Sequence, residues 1–597
     1  MEGVIMKHHL RVFVSFVMLC LVGLNESQSQ QVFVVNLNDT SGDLFKVTLV
    51  PEKLSAANNV FQFASTAPGT YQVMDIGRFV SDFKAFNGAG KEVSVTHNSI
   101  NQWIISSPGS VRRITYTVAD LWKTKVDSDR VYPMCSSTIS DDFVMLNGQC
   151  VFGYFSGMQS EPIRIKLEYP SQWKLGTALT QDRAGYFMAE DFDRVVDSPF
   201  YLGNLSTAST EVGGARIDVY TYSKTGLITS ATMLASLENI LRAESDFTRG
   251  LPVDRYVFLF EFGDFSAGAW EHSYSSEYVM REDTLTSTYS ANINSIVAHE
   301  FFHVNTPLNI HSELIEHFNF VKPVMSQHLW LYEGTTEWAA HMLQLRDTLI
   351  TLNQYLRTLQ GELNANDGYD QKLSLTQLGV HSTEMQDQYG NIYQKGAFVS
   401  GLLDIRLLEL SHGKRGLREI LVELSKKFGK KRAFSEEKFF DQLVAMTYPE
   451  IRDFVDRYIK GPERLPVKEY FGWLGIDYQE KGDVDSSKSA LGVGLGLVDN
   501  AIGVTAVYPD SKSELRKGDI IEKIDTSALT FQNARMLFAR ASMMRAGQTV
   551  KMTIKRGGHE MDVDCTLEPR VTRHTFAVNP NATYEEVALR KVWMKNL

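Results

Sequence analysis

Cysteine is scarce: Cys20, Cys135, Cys150 and Cys565 are the only four in 597 residues. No two form a C-x-x-C pair, so nothing points to a thiolate metal site. Basic excess is missing too. Lys plus Arg number 60 against 71 Asp plus Glu, a net charge of -11. That balance argues against a nucleic-acid partner, because no cations are left over to neutralise phosphates. After residue 24 no apolar run is long enough to span a bilayer. Internal repeats and long low-complexity segments are also lacking. What is present is ordinary for a folded chain, with 43% apolar and 22% charged residues. The length suggests about three or four domains.

The first 30 residues stand apart. Lys7, His8, His9 and Arg11 precede a short apolar core at 12–24, and a polar stretch at 25–30 follows. This is the pattern of a secretory signal, with a core too short for a good membrane span. The expectation is an exported protein, periplasmic or secreted, with no transmembrane segment after signal removal. Export permits disulfides. Cys135 and Cys150 could close a loop worth about 3 kcal/mol in the chain-entropy model, or remain two separate buried thiols. The spacing leaves both open, and Cys565 has no evident partner.

Residues 31–215 read as β-rich. Strand-like runs lie at 31–37, 45–50, 93–96, 103–105 and 111–118, separated by turn signals such as Pro68-Gly69, Asn87-Gly88 and Pro108-Gly109. Short strands at close spacing imply a sandwich, and nothing in it looks catalytic. From about 216 the pattern becomes helical, at 231–248, 295–303, from 331, 393–410, 417–428 and 435–446, with one strand at 255–262. The segment Gly268-Ala269-Trp270-Glu271-His272-Ser273 reads as a loop or edge strand. The tail turns β again from 491. Its order of strands and a helix resembles a PDZ domain of the bacterial protease type. Such a domain binds a peptide or C-terminus by strand addition, or serves only as structure. Residues past 570 read as an extended arm or a partly disordered end.

The chemistry centres on His299-Glu300-Phe301-Phe302-His303. On a helix, His299 and His303 share a face and can reach one metal ion, with Glu300 placed to polarise its water. A catalytic zinc site needs a third protein ligand and an open position. Glu333 in Leu331-Tyr332-Glu333-Gly334-Thr335-Thr336-Glu337 is the best candidate, and Glu337, four residues on, shares its face. One carboxylate can ligate while the other orients a histidine. His311 and His317 miss the extended H-E-x-x-H-x-x-G-x-x-H spacing and read as surface or structural. His272, His328 and His381 read the same way.

These motifs, with Pro68-Gly69-Thr70-Tyr71, the Gly268 to His272 run and Tyr393-Gln394-Lys395-Gly396, resemble the glycyl aminopeptidase family of gluzincin metallopeptidases. The resemblance implies a multidomain α+β chain. It has a β-rich N-terminal sandwich at 31–215, a thermolysin-like, mostly α catalytic domain at 216–480 and a PDZ-like β domain at 487–570. A signal peptide occupies 1–30 and a tail 571–597. It implies one Zn2+ on His299, His303 and Glu333. Glu300 becomes the general base, Tyr393 the oxyanion donor and Glu337 the partner of a zinc histidine. Glu271, with Gly268 and Ala269, would bind the substrate's free ammonium. Lys395 carries no assigned role. The implied activity is removal of small N-terminal residues, Gly or Ala, from peptides. The alternatives are a zinc endopeptidase, or a peptide-binding PDZ protein with a vestigial metal domain. After His303 the run Val304-Asn305-Thr306-Pro307 departs from the family pattern beside the cleft, which bears on side-chain preference.

Overall fold

The computed structural model describes residues 30–595, except 317, 431, 499–500, 509 and 531–532. The expected export signal and His317 therefore lie outside the described residues. The chain is multidomain, with a β-rich N-terminal region, a helical middle and β-sheets near its C-terminus. Among the described residues no helix is long and apolar enough to cross a membrane.

In the N-terminal region, exposure alternates residue by residue along Gln31–Asn36 and Leu44–Val50. Period-two alternation turns one face of each strand to the core. An eight-stranded sheet contains these two strands, and a four-stranded sheet contains Val60–Gln62 and Gln102–Ile105. Rings from the two sheets interleave between them. Phe63 lies 5.2 Å from both Trp103 and Tyr116, edge to face. Cys135 and Cys150 are free and buried, and the Cys150 thiol meets the Cys135 carbonyl at 3.4 Å. The open choice is thus answered in favour of separate thiols.

The next sheet has five strands, in the order Ser206–Val212, Ala215–Ser223, Arg255–Gly263, Ser275–Arg281, Gly268–His272. The expected boundary at 215 falls inside its first hairpin, where Val212 pairs with Ala215. Ladder hydrogen bonds tie both strands into this one sheet. Gly268–His272 is an antiparallel edge strand. The helix Ser287–Phe302 lies on this sheet through Ile293, Val297 and Phe301, with Phe301 4.7 Å from Tyr256. It starts eight residues before the expected position, where the Thr286 side chain accepts from the Tyr289 N–H.

Behind it, Thr335–Arg346 and Asn391–Leu410 share the largest apolar core. They approach closely because both contact points are glycine. A Cβ on Gly334 would sit 2.6 Å from the Gly396 backbone.

The tail is not a loose arm. Strand Ile476–Ala490 spans the expected break at 480–487 and pairs with Glu568–Val578. The two form a ribbon leading to the C-terminal sheet and back. The chain then ends in the helix Tyr584–Lys595, whose Trp593 is 1% exposed in the helical core. Arg346 Nε donates to the Trp593 carbonyl at 3.0 Å. Polar composition suggested disorder, but one buried indole supplies the anchoring that composition does not reveal.

Candidate active site

His299 and His303 sit at the C-terminal end of the Ser287–Phe302 helix, one turn apart, with ring centroids 4.8 Å from each other. Both side chains are buried. Their Nδ1 atoms are already engaged. His299 Nδ1 donates to Glu337 Oε2 at 2.6 Å, and His303 Nδ1 to the Thr306 carbonyl at 2.9 Å. That fixes the tautomers and leaves each Nε2 turned inward. The two Nε2 atoms lie 3.4 and 3.6 Å from Glu333 Oε2. Glu333 rides on a π-helical turn, Trp330–Gly334, that runs into the next helix. Such turns are rare and frequently mark functional sites.

Donor atoms of His299, His303 and Glu333 fall within 4.8 Å of one another, a spread that one metal ion can bridge. A second set, Glu271, Glu300 and His303, meets the same distance. The first set fits a divalent ion better. Its imidazoles are aimed by their other nitrogens, and its carboxylate is the ionised one. Burial works against ionisation of Glu333, but His303, His299 and the Tyr71 hydroxyl outweigh it and hold its pKa down. Burial pushes Glu271 up to about 8 and Glu300 up to about 7, with Glu333 adding to both.

Around this centre is a cleft of about 270 Å3. It is lined by Glu271, Ala269, His299, Glu300, His303, Glu333, Glu337 and Tyr393, so the structure gathers nearly every expected residue on one surface. Gly268 is not part of that lining. Glu337 is held to about 2, because His341 and His299 beside it overcome the cost of its burial. The Tyr393 hydroxyl bonds that of Tyr389 at 2.8 Å, and its ring lies 5.7 Å from His299. Burial and Glu333 push the Tyr393 hydroxyl well up, so it stays a donor through neutral pH. Lys395 donates to the Leu373 carbonyl at 3.0 Å, a structural bond. His272 and His328 are buried, and His381 pairs with Glu384 at the surface. His311 is also buried.

Several site residues escaped the sequence reading. The N-terminal region was expected to hold nothing catalytic, yet its Pro68–Tyr71 turn enters the cleft. Tyr71 donates its hydroxyl to Glu333 Oε1 at 2.9 Å, leaving Oε2 for the histidine side. Gly69 adopts φ +71°, and a Cβ there would lie 2.4 Å from Glu271 Oε1. Only glycine fits both the backbone and the space. Trp270 Nε1 locks the turn through the Pro68 carbonyl at 3.1 Å. Behind Glu337, His341 Nε2 lies 3.4 Å from Oε1, and His341 Nδ1 donates to Glu362 at 3.1 Å. The i, i+4 spacing of Glu337 and His341 was the available signal. Tyr71 closes the Pro68-Gly69-Thr70-Tyr71 run that helped carry the resemblance, but nothing local marks its contact with Glu333, and nothing local marks Glu362.

The family model of the peptidase M61 N-terminal domain matches residues 33–204, and that of the M61 glycyl aminopeptidase matches residues 292–399. A search of the curated proteins finds no match. Among solved structures the chain is similar to an aminopeptidase N family protein from Idiomarina loihiensis. The TM-score is 0.79 at 20% identity, covering 95% of this chain and 100% of that one. A likeness at that identity speaks for the fold over nearly the whole chain. The chain is also similar to an M1 zinc metallopeptidase from Deinococcus radiodurans bound to a Tyr-Ser-Ala substrate. There the TM-score is 0.45 at 13% identity, covering 73% of this chain and 94% of that one, too remote to support an argument. The matched regions include both the Tyr71 turn and the stretch from His299 to Tyr393, and over them the chain is similar to the M61 glycyl aminopeptidase family of peptidases.

Proposed function

We propose that the protein is a zinc aminopeptidase of gluzincin type, acting on the free N-terminus of peptides. The observation that carries this is the convergence of two pre-aimed imidazole Nε2 atoms on Glu333 Oε2, with the Glu271 carboxylate on the wall of the same cleft. His299, His303 and Glu333 would hold one Zn2+, as a His/His/carboxylate set suits that ion. Bound there, zinc polarises the scissile carbonyl and lowers the pKa of its water to about 7.

The chain's own groups do the rest. Glu300 takes a proton from the attacking water and passes it to the leaving amine. A carboxyl pushed up toward neutral pH suits both halves of that transfer. Tyr393 donates its hydroxyl to the carbonyl oxygen as charge develops there. Glu271 pairs with the substrate's ammonium and so fixes the first residue against the cleft. Glu337 and the Thr306 carbonyl hold the two imidazoles, and Tyr71 holds Glu333.

The same reading treats the middle region as a thermolysin-like catalytic domain. It treats residues 487–570 as a PDZ-like module that offers a strand edge to a peptide, and residues 1–30 as an export signal. The resemblance would favour Gly or Ala as the first residue. The test is hydrolysis of aminoacyl anilides with and without a chelator, beside N-acetylated controls. Turnover abolished by chelation and restored by zinc, and confined to free amines, is the expected result. Chelator-resistant turnover, or equal turnover of acetylated substrate, refutes the reading.

A further inference from the structure

Glu337 holds the His299 imidazole, yet its own side chain stands on the cleft wall and is 25% exposed. A glutamate has several staggered rotamers open to it. Turned to another one, Glu337 would release His299 Nδ1 and carry its charge into the cleft beside Glu333. Something must keep it turned the right way.

His341 stands in the right place. It lies four residues after Glu337 on the helix Thr335–Arg346, hence on the same face. Its Nε2 is 3.4 Å from Glu337 Oε1, while Glu337 Oε2 serves His299. Both carboxylate oxygens are thus engaged from opposite sides. The other nitrogen of His341, Nδ1, donates to Glu362 Oε1 at 3.1 Å. Glu362 comes from a separate helix, Leu352–Asn366, which is itself tied down. Gln360 Nε2 donates to the Arg573 carbonyl at 2.7 Å, and the Tyr355 ring packs edge to face on Trp593 at 5.6 Å. Burial works against charge on His341, but Glu337 and Glu362 outweigh it and raise its pKa. A charged ring donates from both nitrogens, one toward each carboxylate.

We propose that His341, braced by Glu362, is a positioning residue of the metal centre: it holds Glu337 turned toward His299 and so keeps His299 Nε2 aimed at the ion. Neither His341 nor Glu362 lines the cleft, so both act through Glu337. Stability alone is a poor reason for the cluster, because buried ionic groups fold no better than apolar ones of the same shape. The proposal rests on the reading of His299, His303 and Glu333 as zinc ligands.

The experiment is competition for zinc against a chelating indicator, on the full chain. A glutamine amide nitrogen can stand where Nε2 stands, and an asparagine amide nitrogen where Nδ1 stands. His341→Asn, which gives up Glu337, should weaken zinc binding about fivefold or more, the lower side of what a group behind a ligand is worth. His341→Gln, which keeps a donor toward Glu337, should bind zinc at least about threefold tighter than His341→Asn. In a Glu337→Gln background the two substitutions should agree within about twofold, since the link they act through is gone. Equal affinities in the parent background, or a difference undiminished by Glu337→Gln, overturn the proposal. If either variant at 341 fails to fold, Glu362→Leu decides: a loss of about threefold or more keeps the proposal, and a smaller one overturns it. Failure of the zinc reading looks different, with the parent and His303→Ala taking up zinc equally. The metal-free protein then decides. The low-field proton signal of His299 Nδ1, identified by its loss in Glu337→Gln, should persist in His341→Gln and vanish in His341→Asn. Equal signals in those two variants overturn the proposal.

Discussion

Tyr71→Phe is the sharpest test of how the N-terminal region takes part in the site. The substitution removes one oxygen and keeps the ring, which packs on Tyr389 at 5.5 Å between centroids. It deletes the 2.9 Å hydrogen bond to Glu333 Oε1. A hydrogen bond to a charged acceptor is worth about 1.5–3 kcal/mol. At about 1.4 kcal/mol per factor of ten, zinc affinity should fall roughly ten- to a hundredfold. Loss of a hydrogen-bond partner behind a metal ligand has effects of about that size elsewhere. The assay is competition for zinc against a chelating indicator at neutral pH, with thermal unfolding of the metal-free protein recorded beside it. Affinity should drop while the unfolding midpoint of the metal-free form barely moves. A variant that binds zinc within about twofold of the parent refutes the idea that Tyr71 prepares Glu333. So does one whose only change is a lower unfolding midpoint.

Other expectations follow from the same geometry. Glu300→Gln should keep zinc binding and lower kcat by about 10²–10⁴, the usual worth of a positioned acid–base group; metal analysis and steady-state kinetics check it, and near-normal kcat excludes the proton-transfer role. Gly334→Ala forces a Cβ to within 2.6 Å of the Gly396 backbone. It should cost about 1–3 kcal/mol in denaturant unfolding and lower kcat, because the displaced helix carries Tyr393. Glu261 is buried, which with Asp264 and Glu282 nearby pushes its pKa from 4.5 up to about 8. Between those values the folded state holds the proton that the unfolded state has released, so its contribution to stability is present at low pH and lost as pH rises through about 8. Glu261→Gln should flatten this decline, gaining on the order of a few kcal/mol at alkaline pH relative to acid; parallel stability-against-pH curves for the two proteins refute it.

The ligand helix was legible because its chemistry is local. Two histidines four residues apart share a helical face whatever surrounds them, and the same spacing ties Glu333 to Glu337. Strand periodicity likewise exposed the N-terminal sheets, since alternation is written residue by residue. The pieces that could not be read are those joined across long sequence separation. Tyr71 meets Glu333 over 262 positions, and no pattern near either residue encodes the other. The expected unit boundaries at 215 and 480–487 fall within paired strands for a related reason. The hairpin Ser206–Val212 with Ala215–Ser223 and the ribbon of Ile476–Ala490 with Glu568–Val578 are fixed by strand pairing, while composition changes only afterwards.

The sequence by itself determined the candidate metal-binding residue types, their helix and the carboxylate proposed for proton transfer. Only the tertiary structure decided which tyrosine holds Glu333 and what buries the final helix. Those are matters of packing, where a buried polar atom must find a partner wherever the chain has brought one.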